Sequence, residues 1–447
     1  MESTPSSERI QSIDVLRGFS LLGILLLNIN SFGLPFGAYF NPAVWGGATG
    51  ADLTTWLVAA TWWDGKMRCI FSMLFGASAV IFLDRVERRG AGITGADLYY
   101  RRTMWLILIG LLHAHLVWAG DILYGYGVVG LLLFPLRRLK ARTLIITGTV
   151  IILVHSLQGI GAGYGIGQLK AQAERAEQSQ TRSAEDLQVQ AQWAQLVQLF
   201  ATPPDEVQKE IATHRGGWLG NLVLRSGEAA LIEFTLFFQF ILLDVLAMLI
   251  MGMGLYKAGV FSASRSYGFY GVLVAAGFGV GVPLNYWCAT KWIESGFDLP
   301  TYFTYIGASA DIGRFSVAMG YTGLVMLACR AGLNWVTGPL SRVGQMALSN
   351  YLLTSVLCTL IFNGYGFGAF ASLSRFELLY VVVGVWAVNL IWSPFWLKRY
   401  LHGPAEWVWR SLIYWQKQPM RRPVAPPDRT FTGEPGRAPA LVYPPGP

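Results

Sequence analysis

The sequence predicts an all-α protein that crosses a membrane about ten times. Three observations carry this. Only 13% of the 447 residues are charged, where a water-soluble chain carries roughly 25%. The mean hydropathy is +0.43, and runs approaching the roughly 20 apolar residues that span a bilayer recur along the chain. Lys and Arg gather in alternate connections, as they do on the cytoplasmic side of membrane proteins. The 51 glycines and 17 tryptophans suit close helix packing and interfacial anchoring. A net charge of +8 therefore belongs to the loops and does not argue for nucleic acid.

The first run, SIDVLRGFSLLGILLLNINSF, reads as an uncleaved helix, because MESTPSSERIQ lacks a basic leader and no A-x-A exit follows. Asp14 and Arg17 lie one turn apart at its foot. Asn28, about 16 Å further up at 1.5 Å per residue, returns to the same face. The pair either caps and orients the helix or belongs to a site. Residues 33–65, with Trp45, Trp56, Trp62 and Trp63, read as an interfacial or re-entrant loop. Asp64, Lys66 and Arg68 form a charged knot at the outer surface before the second crossing, near 69–83. Five arginines, Arg85, Arg88, Arg89, Arg101 and Arg102, then mark a cytoplasmic loop.

The third and fourth crossings, TMWLILIGLLHAHLVWAG and ILYGYGVVGLLLFPL, meet in an outer turn at Gly120 and Asp121 that carries no Lys or Arg. Arg137, Arg138, Lys140 and Arg142 bring the chain back inside. A fifth crossing near 143–164 contains His155, read as a packed, hydrogen-bonded residue. Residues 165–229, rich in Gln, Glu and Ala, form an outer amphipathic insertion. Within it Leu187, Ala191, Ala194 and Val197 repeat at helical spacing, and Pro203, Pro204 and Asp205 start a further helix at Glu206. Five more crossings follow, near 231–256, 268–286, 306–329, 347–362 and 378–396. The chain thus divides into a five-helix part over 1–164, the insertion, and a second five-helix part over 230–399. An interfacial helix over 400–417 and a Pro-rich, basic, disordered tail over 418–447 complete it. Both termini fall inside.

Polar groups within the crossings carry the functional signal, since each is costly in lipid. His113 lies mid-helix, eleven residues after Arg102 and on the same face, with Asp121 at the outer end. It is a candidate general base, with an interhelical hydrogen bond as the equally weighted alternative. His115 points away and reads as structural. Arg314, with Asp311 and Tyr321, forms a polar stripe on the eighth crossing, either a site or an internal ion pair. Gln239, Asp244, Asn350 and Tyr351 are weaker candidates. The cysteines Cys69, Cys288, Cys329 and Cys358 show no metal-ligand or disulfide spacing, and no metal is expected.

Five stretches in order, RIQSIDVLRGFSLLGILLLNI, DGKMRCIFSMLFGAS, GLLHAHLVWAGDILYGYGVVGLL, VGQMALSNYLLTS and HGPAEWVWRSL, resemble the YeiB family of bacterial integral membrane proteins. That family is similar to the transmembrane acyltransferases, among them heparan glucosaminide N-acetyltransferase and the polysaccharide O-acetylases. The resemblance implies a transmembrane acyltransferase-like bundle in the bacterial inner membrane. It would pass an acyl group from cytoplasmic acyl-CoA, acetyl-CoA above all, to a hydroxyl or amine on an envelope glycan or a secreted metabolite. The O-acetylases place a catalytic histidine where this chain has Asn28, so the base falls to His113, with Asp121 beside it. Arg17 and Asn28 would stabilise the oxyanion, and Asp14, Arg17 and Arg102 would receive the donor. Lys66, Arg68, Arg314 and Tyr321 would meet the acceptor. Two rival readings stay open, a small-solute transporter and a non-catalytic component of an envelope complex. A homodimer is also left open.

Overall fold

The computed structural model describes residues 10–88, 90 and 92–422, with the side chains of 92, 93 and 306–310 left aside. Eighteen α-helices succeed one another among these residues. The first part contains α1 (Gln11–Gly33), α2 (Phe36–Phe40), α3 (Gly50–Trp62), α4 (Lys66–Arg88), α5 (Gly92–Leu116), α6 (Leu123–Gly130) and α7 (Ala141–Gln178). The insertion contributes α8 (Ala184–Phe200) and α9 (Pro204–His214). Next, α10 (Trp218–Leu231) runs through a π-helical stretch, Ile232–Ile241, into α11 (Leu242–Lys257). After α12 (Tyr267–Glu294), the one-turn α13 (Leu299–Thr301) leads through a second π-helical stretch, Tyr302–Gly307, into α14 (Ala308–Arg330). The chain closes with α15 (Asn334–Gln345), α16 (Ala347–Phe362), α17 (Leu378–Arg399) and α18 (Pro404–Tyr414).

The all-α polytopic class holds, but the count differs. By length and composition, seven helices among the described residues can cross a membrane, or eight if α15 and α16, bent by 83° to each other, count as one. The expected third and fourth crossings are the ones that fall short. Arg101, Arg102, His113 and His115 make α5 too polar, and α6 is only 8 residues long. The chain still runs through the bundle along α5: Arg101, in its first half, donates to the Ile413 carbonyl at 3.0 Å, while Trp118 beyond its end reaches Ser31 at 3.2 Å.

The connections sort into two ends. At one, the basic end, Ser12 bonds the Phe261 carbonyl, Arg137 pairs with Glu87, Lys257 bonds the Arg137 and Leu139 carbonyls, and α18 meets α5. At the other, the insertion end, Arg375 bonds Asn30, Glu210 accepts from the Phe36 amide, Lys170 pairs with Asp298, and Arg215 bonds the Phe370 carbonyl. The two sets do not mix. Between the ends the bundle packs tightly: a Cβ on Gly18 would meet the Leu340 carbonyl of α15, so α1 and α15 touch backbone to backbone.

Several local expectations change. Residues 50–62, expected as a loop, form α3, which prolongs α4 at the insertion end; Trp56 packs on Trp292 at 5.4 Å. The insertion is no free hairpin. Its first residues extend α7 to 38 residues, about 57 Å at 1.5 Å per residue. Ser183 and Asp186 cap α8 reciprocally, and α9, begun at Pro204, docks on the bundle through Glu210, His214 and Arg215. The tail's start is also placed: Leu401 N bonds the Met420 carbonyl at 2.9 Å and Arg422 N the Arg399 carbonyl at 3.1 Å. From 423 on, the disorder expected of the tail lies outside the described residues.

Candidate functional site

The insertion half of the bundle encloses a cavity of about 480 Å³. Its polar lining includes Asn28 from α1, Tyr39 from α2, Lys66 and Arg68 from α4, Asp121 from the α5–α6 turn, His155 from α7, Glu233 from the first π-helical stretch, Asp244 from α11, and Asp311 and Arg314 from α14. Both π-helical stretches border it, through Glu233, Phe237 and Phe240 and through Tyr302 and Phe303. Wide turns of this kind re-aim side chains and recur at functional sites.

Charge in this cavity is netted together. Arg314 makes a bidentate contact with Asp244 and a second contact, 3.2 Å, with Asp311. Arg68 joins Asp244 at 2.9 Å. Asp311 also accepts from Ser156 at 2.9 Å and meets His155 Nδ1 at 2.7 Å. His155 Nε2 donates to the Phe240 carbonyl at 2.9 Å. Both nitrogens of that ring thus face acceptors. Lys66, expected at the outer surface, is buried under α3 and bonds the Ala60 carbonyl. Burial, with Asp64 pushing the same way, raises the Tyr39 hydroxyl above its ordinary range and keeps it a donor.

A second constellation adjoins the cavity. His113, 3% exposed, places Nδ1 2.8 Å from Asp121 Oδ1. Asp121 is held in turn by the Tyr124 amide at 2.7 Å and the Tyr351 hydroxyl at 3.3 Å. The carboxylate accepts at Nδ1–H, so Nε2 carries the lone pair, and that nitrogen has no hydrogen-bond partner. Asp121 lines the cavity whereas His113 stands behind it.

The structure therefore brings Asn28, Lys66, Arg68, Asp121 and Arg314 to one cavity, with His113 adjoining. Others lie elsewhere. Arg17 pairs with Asp14 at 2.8 Å and bonds Ser78 at 2.9 Å toward the basic end. Arg102 lies there over Phe82 and Trp409, about one helix radius away, and feels both Arg17 and Arg410 electrostatically. Tyr321 packs between Phe19 and Phe278. His155, read as a packed residue, is hydrogen-bonded as expected but also lines the cavity. Glu233 was passed over, although a lone acid in LIEFTLFFQFILLD is the kind of signal that marks a membrane site. His115 is its partner, at 3.2 Å.

Comparison with known proteins places the chain. It is 31% identical to the uncharacterized protein YeiB of Escherichia coli strain K12 over 423 residues, 91% of this chain and 96% of that one. The chain belongs to the YeiB family. The uncharacterized protein YxaH of Bacillus subtilis strain 168 is 28% identical over 94% of this chain and 98% of its own length. An uncharacterized 39.9 kDa protein in the amylase 3' region of Bacillus acidopullulyticus is 26% identical over the same shares. Residues 255–416 match the family described as protein of unknown function DUF418. That match takes in Asp311 and Arg314, while the likeness to the YeiB relatives extends over nearly the whole chain.

Proposed function

We propose that this YeiB-family protein is a membrane acyltransferase of the bacterial inner membrane, with both termini cytoplasmic, moving an acetyl or other acyl group from acyl-CoA to a hydroxyl or amine. The observation that carries this reading is the His113–Asp121 pair, a buried imidazole oriented through Nδ1 with Nε2 unpartnered beside a polar cavity. That is the arrangement of a general base and its orienting carboxylate. His113 Nε2 takes the proton of the acceptor hydroxyl or amine, whose oxygen or nitrogen attacks the thioester carbonyl. The tetrahedral oxyanion collapses with loss of CoA thiolate, and the imidazolium returns its proton to the sulfur. Asn28 and the cations Lys66 and Arg68 stand where they can orient the acceptor. Arg17 and Arg102, at the basic end, suit the phosphates of CoA; Arg102 lies eleven residues, about 16 Å, before His113 on one helix.

The test is release of free CoA thiol by detergent-purified protein given acetyl-CoA and a panel of sugar and amine acceptors. Acceptor-dependent release, lost in His113→Ala and kept in His115→Ala, supports the reading. Thiol release that survives His113→Ala overturns the assignment of the base. A transport reading draws on the ion network around Arg314, which could carry a solute or proton path. Solute flux in proteoliposomes free of CoA would favour it.

A further inference from the structure

Away from the Arg314 network, α9 and α10 turn two carboxylates and an imidazole toward one another. Glu210 and His214 are four residues apart on α9 and share a face, and Glu228 comes from α10. One ligand atom from each lies within 4.8 Å of the other two. Small side-chain shifts bring such atoms to the about 3.3 Å separation of ligands on a tetrahedral ion with bonds near 2.0 Å.

The imidazole is already set for a ligand. His214 stacks on Phe370 with ring centroids 4.0 Å apart, and its Nδ1 lies 2.9 Å from Asn363 Oδ1. Asn363 uses its own NH₂ group on the Tyr365 hydroxyl at 2.9 Å, so its oxygen is the atom facing the ring and Nδ1 carries the proton. Nε2 keeps the lone pair, with an oxygen fixing the ring from behind, as metal-bound histidines generally have.

A second observation points into the same place. Asn221, 1% exposed, turns its NH₂ group to the carbonyls of Thr213, His214, Gly216 and Gly217, while its buried Oδ1 has no hydrogen-bond partner. Asn221 lines a cavity of about 40 Å³ together with Glu210, His214 and Glu228, room enough for an ion and a water. One oxygen of Glu210 accepts from the Phe36 amide at 2.7 Å, leaving the other.

We propose that Glu210, His214 and Glu228 form a binding site for a divalent transition-metal ion, zinc by its donor set of one nitrogen and two carboxylates, with water completing the tetrahedron. The ion fastens the insertion helix α9 to α10 and, through Glu210, to the Phe36 turn after α1. The site borders the larger cavity, sharing Ser31, Phe36, Gly120 and Ile232 with it, but does not depend on the acyl-transfer reading.

The experiment uses the full chain, purified in detergent with its affinity tag cleaved, stripped with a chelator and titrated with Zn²⁺ or Co²⁺. One equivalent of zinc per chain is expected by elemental analysis, with visible d–d bands for cobalt and a raised unfolding temperature on zinc addition. Glu228→Gln and His214→Ala should weaken binding about 100-fold or more, while Asp205→Asn, at an exposed carboxylate on another face of α9, should not. If His214→Ala fails to fold, the isosteric Glu228→Gln and the zinc-induced shift of the unsubstituted protein decide. Less than a tenth of an equivalent after reconstitution, or full binding retained in Glu228→Gln, overturns the proposal.

Discussion

Two histidines in this bundle, His113 buried and His155 half-buried, meet aspartates through the same nitrogen at nearly the same distance, yet their other nitrogens differ. His113 Nδ1 is 2.8 Å from Asp121, and its Nε2 has no partner. His155 Nδ1 is 2.7 Å from Asp311, and its Nε2 is spent on the Phe240 carbonyl. Their carboxylates differ as well. Asp121 is held by neutral groups, the Tyr124 amide and the Tyr351 hydroxyl, whereas Asp311 is tied to Arg314 and through it to Asp244 and Arg68. A histidine–carboxylate distance therefore does not mark a base. The first pair leaves a buried Nε2 without a hydrogen-bond partner, while the second closes an ion network.

The largest expected effect comes from exchanging each ring for an amide. His113→Asn should lower acyl transfer by about 10²- to 10⁴-fold, the usual contribution of a general base, while His155→Asn should cost less than about tenfold. Initial rates of thiol release at saturating acetyl-CoA measure both, and equal losses would erase the distinction between the pairs. Next are the carboxylates. Asp311→Asn breaks a buried charge network and should destabilise the protein by about 3–5 kcal/mol, seen as a lower unfolding midpoint in detergent. Asp121→Asn should leave that midpoint nearly in place and lose activity instead, because the amide no longer holds the correct tautomer.

A smaller effect sharpens the comparison by asking what reaches the first pair. Arg102→Gln should weaken binding of a non-hydrolysable acyl-CoA analogue by about tenfold and Arg102→Lys by less, since a lost charge-assisted contact costs roughly 1.5–3 kcal/mol. Calorimetric titration distinguishes these, and unchanged affinity in both variants removes the donor route.

The smallest effect concerns Glu406, a half-buried carboxylate on α18. It accepts from the Leu348 amide at 2.7 Å and from Ser349 at the start of α16. Burial nevertheless raises its carboxyl above the ordinary value. A raised folded-state value means that its contribution to stability is full below the unfolded value of about 4.3 and is lost as pH climbs through the folded one. Stability of the unsubstituted protein should thus slope downward above about pH 4.3, and Glu406→Gln should flatten that part of the curve.

The sequence by itself determined the helical membrane class, most of the segments that cross, a helix start just after Pro203 and the placing of Asp121 at the outer end of the segment that carries His113. Those are local properties: transfer of an apolar run into lipid, a proline's fixed φ, and polar residues one or two turns apart on a single helix are all visible within about 20 consecutive residues. Tertiary structure decided the rest. Arg314 was paired in the sequence with Asp311, its neighbour on the helix, but its bidentate partner is Asp244, 70 residues earlier. His155 finds Asp311 at a separation of 156 residues. Metal ligands were sought among the cysteines, while the cluster on α9 and α10 takes two residues from an i,i+4 pair and its third from the next helix. In a bundle each helix offers several polar groups to several neighbours, and the low dielectric penalty for leaving any charge alone selects among the pairings only once the helices are in place.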